Sequence, residues 1–200
     1  MYTVIPLMMI GVLFLYTAQI QSDIADTSKP ADVHINVVGK QWSWDFNYLD
    51  SNVYEVGLQT ELTLDGAPGA EKQNPTLYLP VNKRVEFTIQ ARDVLHSFWI
   101  PAMLYKLDAI PGVTNTFQVV PQKVGDFRGK CTELCGEYHS EMLFNVKVVP
   151  QAEYDAHMAQ LKADGKVGKL DTNLGSVKTR PGGGAVPFNT QTLEPVTGSN

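Results

Sequence analysis

No charged side chain occurs between Met1 and Ser22. The formal charge of −5 and the pI near 5.3 therefore belong wholly to the residues that follow. No basic patch with interleaved aromatics appears, and an acidic surface repels nucleic acid, so nucleic-acid binding is set aside; such a surface suits a basic protein partner. Cysteine is scarce: there are two, against four histidines. Both cysteines fall in one stretch, Lys130 to Phe144, which confines any thiol chemistry to that place. From Gly165 onward Gly, Pro, Thr and Asn dominate, including Pro181-Gly182-Gly183-Gly184. Residues 165–200 offer nothing from which to build a core and are expected to form an extended tail that orders only against a partner.

What is present begins with Tyr2 to Ile20, an apolar run about long enough to span the hydrocarbon core as a helix. Pro6 lies near its first turn, where proline costs little. Tyr2 and Tyr16 sit where interfacial aromatics are expected. A signal-peptide core is the competing reading, but no basic segment precedes the run and no small-residue cleavage site follows it. Residues 1–22 are thus expected to be one transmembrane helix, with 23–32 a polar connector containing Pro30. Loop charges are too sparse to orient it.

The next 118 positions or so, residues 33–150, alternate apolar and polar side chains in short runs separated by turns. Val33 to Val37 reads as a half-buried strand broken by Gly39 and Lys40. In Gln41 to Tyr48, the even spacing of Trp42, Trp44, Phe46 and Tyr48 puts four rings on one face of an extended strand. Val53 to Leu64 and Thr76 to Leu79 suggest two more strands around an Asp65-Gly66-Ala67-Pro68-Gly69 turn region. Lys83 to Arg92, Thr114 to Val120, Gly125 to Cys131 and Leu143 to Val149 continue the pattern. Many short alternating strands predict an antiparallel sandwich or barrel. Residues 151–164 read as a surface helix with Tyr154, Met158 and Leu161 on its apolar stripe, and with His157 exposed to solvent.

The chemistry sits in Lys130 to Phe144, spaced Cys131-x-x-x-Cys135-x-x-x-His139-x-x-Met142. Thiolate, imidazole and thioether are the soft and borderline donors that select copper over magnesium or calcium. One thiolate would suit a mononuclear copper site; a second allows two ions to be bridged and an electron to be shared between them. Two ions need a second imidazole, and His96, in Val94-Leu95-His96-Ser97 at the end of an alternating strand, is the best placed. Two alternatives stay open on residue types. The cysteines can form a disulfide, as pairs outside the cytoplasm often do. Two Cys and two His also make a common zinc set, although zinc has little use for Met142, unless that residue is simply core.

Cys131-x-Glu133-x-Cys135-Gly136-x-x-His139-x-x-Met142, preceded by Val94-Leu95-His96-Ser97, closely resembles the dinuclear copper signature of cytochrome c oxidase subunit II. Gln41-Trp42-Ser43-Trp44 and Asp108-Ala109-Ile110-Pro111-Gly112 resemble two further motifs of that family, in the family's order. The resemblance runs from the start of the chain to about residue 160 and has an actinobacterial character. It implies a mainly β, cupredoxin-like Greek-key barrel or sandwich behind a single transmembrane helix. That helix resembles the second of the family's usual two, so the chain is expected to be an N-terminally truncated form.

The resemblance also implies roles. Cys131 and Cys135 would bridge two copper ions, His96 and His139 would be terminal ligands, and Met142 a weak one. Glu133 would give its backbone carbonyl to copper and its carboxylate to a magnesium ion shared with subunit I. Trp42 would receive electrons from the donor, Trp44 would be core, and Asp108 would be structural, facing subunit I. Asp93 is expected on an acidic docking surface. The implied function is to accept single electrons from a c-type cytochrome, soluble or part of a cytochrome bc supercomplex. Electrons would pass to haem in subunit I, where oxygen is reduced to water and protons are pumped. The implied place is the bacterial plasma membrane, with the copper domain on the extracytoplasmic side. The rivals are a quinol oxidase subunit II, which lacks these ligands, and nitrous oxide reductase, whose similar loop belongs to a soluble enzyme. A membrane-tethered copper carrier without an oxidase role is the third.

Overall fold

A computed structural model describes residues 2–58, 74–171, 188–189 and 194–195. The chain opens with helix α1, Val4–Ala25, none of whose residues is buried. At 1.5 Å per residue it is about 33 Å long, and it is apolar enough to cross a membrane. It ends where Asp26 Oδ1 accepts the Ser28 N–H at 2.9 Å, a local turn that competes with further helix.

Ten strands then form two stacked sheets. In chain order they are β1 Val33–Lys40, β2 Ser43–Tyr48, β3 Val53–Glu55, β4 Thr76–Pro80, β5 Val85–Ala91, β6 His96–Ile100, β7 Tyr105–Ala109, β8 Asn115–Val119, β9 Gly125–Cys131 and β10 Leu143–Val149. The first sheet has the order β3-β2-β1-β5-β8 and the second β4-β10-β9-β6-β7. Pairing is antiparallel except for β1 with β5 and β4 with β10. The sheets are therefore mixed, and the chain crosses repeatedly from one to the other. This is the mainly β sandwich that the alternation predicts, though not a purely antiparallel one, and it agrees with the cupredoxin-like fold that the resemblance implies.

Period-two alternation fills the space between the sheets. Ile35, Val37, Trp44, Phe46, Phe87 and Ile89 face Leu77, Leu79, Phe98, Phe144 and Val146, all buried. Phe98 and Phe144 stack at 4.9 Å, and Trp44 meets both edge-on at 5.4 and 5.8 Å. Such pairs add about 0.5–1.5 kcal/mol each beyond their buried area.

Several expectations change here. Gly39 and Lys40 do not break β1; they pair with Trp44 and Ser43, leaving Gln41 and Trp42 as a two-residue hairpin loop. Trp42 is therefore in the turn, while Trp44, Phe46 and Tyr48 remain on the strand. The strand expected over Val53 to Leu64 is described only as Val53–Glu55, and 59–73 lie outside the described residues.

The back of the first sheet is also buried, although it carries Asn36, Ser43, Asp45 and Asn47. Helix α2, Gln151–Ala163, buries Tyr154, Met158 and Leu161. The chain then turns back across β2 and β3. Lys166 pairs with Glu55 at 2.8 Å, Leu170 N–H donates to Asn47 Oδ1 at 2.8 Å, and Leu170 is buried. So 166–171 are packed on the domain, against the expectation that nothing after 165 would be. Residues 172–187 lie outside the described residues; further on, Phe188–Asn189 (β11) pairs with Glu194–Pro195 (β12). His157 is not solvent-exposed either: its ring stacks on Tyr78 at 3.6 Å, because α2 lies against β4.

Candidate metal centre

The ligand-bearing loop leaves β9 at Cys131 and returns at β10. Cys131 N–H donates to the Met142 carbonyl at 3.0 Å, which pins the two ends together. A 3-10 turn at His139–Glu141 closes the loop, with Met142 N–H on the His139 carbonyl. This folding brings residues eleven positions apart onto one point facing β6. His96, the first residue of β6, is completely buried.

Every side chain that the loop spacing singles out converges there. Cys131 and Cys135 are free thiols with sulfurs 3.9 Å apart, far beyond a disulfide bond of about 2.05 Å. His96 Nδ1 faces Cys131 Sγ at 3.9 Å, and the Glu133 carbonyl lies 3.3 Å from the same sulfur. His139 Nδ1 is 3.4 Å and Met142 Sδ 3.8 Å from Cys135 Sγ. The donor atoms of His96, Cys131 and Cys135 lie within 4.8 Å of one another. Each sulfur thus has an imidazole nitrogen beside it and one weaker donor.

The surrounding groups hold these donors in place. His96 Nε2 meets Asp93 Oδ1 at 2.8 Å. With Nε2–H donating to that carboxylate, Nδ1 can present its lone pair towards Cys131. Burial is the largest influence on His96 and works against its charge, but the Asp93 and Cys131 contacts together outweigh it and its pKa is raised; burial likewise opposes the Asp93 charge, and the hydrogen bonds from His96, Gln41 and Val94 together outweigh it, so that pKa is lowered. Burial raises the Cys131 thiol, yet His96 and the backbone of Glu133 and Ser97 together bring it down. Burial, followed by the neighbouring Cys131, pushes Cys135 up to about 12. Two thiolates this close need a cation to offset them.

Three features were missed in the sequence. Gly39, read as a strand breaker, is where the His96 ring packs: a Cβ there would lie 3.0 Å from the imidazole Cδ2. Trp44, read as core alone, also donates Nε1–H to the Met142 carbonyl at 3.4 Å and lies edge-on to His96. Asp93 does not present a free carboxylate for docking. Its side chain is 16% exposed, and it accepts hydrogen bonds from Gln41 N, Val94 N and His96. Half-buried Trp42 does reach the centre, donating Nε1–H to the Cys135 carbonyl at 3.2 Å and meeting Tyr138 edge-on. Asp108 sits on edge strand β7, 3.9 Å from Lys106.

A family profile described as cytochrome c oxidase subunit II, periplasmic domain, matches residues 33–149, more than half the chain. The chain belongs to the cytochrome c oxidase subunit II family. A probable cytochrome c oxidase subunit 2 of Streptomyces avermitilis is 43% identical over 87% of this chain and 63% of its own length. The cytochrome c oxidase subunit 2 of Mycobacterium tuberculosis H37Rv is 32% identical over 82% of this chain and 58% of that protein. The chain thus spans about three fifths of the length of these relatives. Among solved structures, the periplasmic domain of subunit II of cytochrome oxidase (CoxB) of Bradyrhizobium japonicum is 30% identical, with a TM-score of 0.57. That match covers 68% of this chain and 97% of the other. For a subunit II family member, a periplasmic-type domain behind one apolar helix describes a membrane-anchored protein with an extracytoplasmic domain. The soft donor set, with thiols kept apart and imidazole nitrogens turned inward, fits the family's copper.

Proposed function

We propose that this chain is the electron-accepting subunit of a cytochrome c oxidase, holding two copper ions on Cys131, Cys135, His96, His139, Met142 and the Glu133 carbonyl. The observation that carries this reading is the number of convergent donors. Two thiols, two imidazoles, a thioether and a carbonyl are two more than one four-coordinate ion takes. They complete two four-coordinate ions if both sulfurs are shared. An imidazole and thiolate sulfur with a weak axial donor is the surrounding that electron-transfer copper favours. When bound, such a pair supplies a one-electron carrier whose charge is spread over two metals.

The residues of the chain then have distinct tasks. The buried sandwich excludes water from His96 and Met142, and its rigidity limits rearrangement on electron uptake. Trp42 offers a half-exposed indole hydrogen-bonded to the backbone of Cys135, a short route from the surface to a sulfur ligand. Leu134, between the two cysteines, is 78% exposed, an apolar group on the ligand loop that fits a haem-bearing subunit I. The carboxylate of Glu133 would serve a magnesium ion shared with that subunit. The donor would be a c-type cytochrome, free or within a cytochrome bc supercomplex. Electrons would go to haem in subunit I for reduction of oxygen to water and proton pumping across a bacterial plasma membrane.

Stopped-flow mixing of the copper-loaded full chain in detergent with a reduced c-type cytochrome tests this. Oxidation of one cytochrome per two coppers, with copper retained against a chelator through repeated cycles, is the expected result. Loss of copper to the chelator on reduction, without electron exchange, would instead identify a tethered copper carrier.

A further inference from the structure

The hairpin loop between β1 and β2 touches both ends of the metal centre, and one residue makes both contacts. The backbone N–H of Gln41 donates to Asp93 Oδ2 at 2.7 Å. Its side-chain Nε2 donates to the Cys135 carbonyl at 2.9 Å. Asp93 in turn holds His96 Nε2 and the Val94 N–H on its other oxygen. A continuous set of hydrogen bonds therefore runs from one imidazole ligand, through Asp93 and Gln41, to a thiol ligand on a different strand connection. The bracket spans the sandwich: Gln41 belongs to the first sheet's hairpin, while His96 and Cys131 begin and end strands of the second.

We propose that Gln41 is a positioning residue of the metal centre, coupling the orientation of His96, through Asp93, to the placement of Cys135. At the imidazole end, the carboxylate fixes both ring rotation and tautomer, leaving Nδ1 free for metal. The Gln41 N–H holds that carboxylate from the side opposite the ring. At the thiol end, the Cys135 carbonyl receives two donors, Gln41 Nε2 and Trp42 Nε1. Both lone pairs are used, so the peptide plane beside the ligand is fixed. The following residue shows how closely the parts fit. Gly136 has φ +123°, and a Cβ there would lie 3.1 Å from the Trp42 ring and 3.3 Å from Gln41 Nε2. The loop lies directly on these two side chains, so that a larger residue would be strained in its backbone and would press both of them aside. Ligands tied to each other this way cannot drift separately when the charge of the site changes.

This inference rests on the copper reading above, and its tests separate the two. In the full chain in detergent, Gln41→Met removes the carboxamide but keeps side-chain length and the backbone N–H to Asp93. Copper affinity by chelator competition should fall about 10- to 100-fold, the usual effect of losing an outer-shell partner. The paramagnetic spectrum should shift, while the melting temperature of the metal-free protein stays unchanged. Affinity within about twofold of the native chain, together with an unaltered spectrum, would overturn the proposal. A native chain showing one-copper hyperfine structure would defeat the dinuclear reading, yet chelator competition would still decide the role of Gln41. A second measurement needs neither variant nor copper. Nitrogen-15 resonances of the reduced, metal-free chain should show His96 protonated at Nε2 and a slowly exchanging Gln41 carboxamide. Protonation at Nδ1 alone, with Nε2 bare, or a freely exchanging carboxamide, would contradict the bracket even if Gln41→Met failed to fold.

Discussion

The indole nitrogen of Trp42 lies 3.2 Å from the carbonyl oxygen of Cys135, and through that carbonyl the surface of the domain meets its thiol centre. If electrons arrive here, Trp42→Phe, compared at equal copper loading because it also removes a donor to the Cys135 carbonyl, should slow electron uptake. The rate of reduction by a c-type cytochrome should fall about tenfold or more, a barrier increase of about 1.4 kcal/mol. An unchanged rate in stopped-flow would assign electron uptake elsewhere.

Met142 Sδ sits beside Cys135 Sγ, fully buried. If it serves as a weak donor to copper, it should tune the centre without anchoring it. Met142→Leu is expected to keep both coppers and move the midpoint potential, measured by spectroelectrochemistry. Loss of copper from this variant would make the thioether an anchor.

Asp45 is the most exposed to failure of the buried charges. It is 1% accessible, and it holds Lys40 Nζ at 2.6 Å, Arg92 at 3.0 Å and the Gly57 N–H at 3.0 Å. Burial pulls the Lys40 ammonium below its usual pKa, against the attraction of Asp45. Asp45→Leu leaves two buried cations facing each other without a counter-charge. Removing one member of such a set typically costs about 3–5 kcal/mol, which chemical denaturation of the native and substituted chains would show. A change below about 1 kcal/mol would place the group in solvent-like surroundings.

His157 supplies a pH dependence. Burial against Tyr78, with Lys166 adding to it, lowers its pKa from 6.5 to about 4. The folded protein therefore resists protonation that the unfolded chain accepts. The contribution is complete above about pH 6.5 and is lost as pH falls towards 4. Denaturation curves across that range should show less acid sensitivity in His157→Phe than in the native chain. Equal slopes would mean that the imidazole titrates freely.

How much of this could be read beforehand depended on whether the cause was local. The metal loop was legible because Cys131, Cys135, His139 and Met142 are close in sequence and chemically distinctive. His96 was found through the ligand count and its place at the end of an alternating strand. The supporting residues were not, since their roles arise from contacts between sheets. Gly39 looked like a strand breaker because nothing local shows that an imidazole will lie over it. Asp93 looked like a surface acid because its partners include Gln41, fifty-two positions away. The outer face of β2 alternates as a solvated face would, yet Asn47 is covered by Leu170 from the segment after α2, and Asp45 is enclosed by Lys40, Arg92 and the Gly57 backbone. The same covering explains why Leu170 is buried in a stretch whose composition suggested only a tail.

Every electron-transfer role proposed above depends on two metal ions sharing the sulfurs of Cys131 and Cys135. Electron paramagnetic resonance of the copper-loaded full chain, with copper quantitation on the same sample, tests it most directly. Two coppers per chain are expected, with hyperfine structure from one electron divided between two copper nuclei that is abolished in Cys135→Ser. One copper per chain with single-nucleus splitting, or a pattern unchanged in Cys135→Ser, would contradict it.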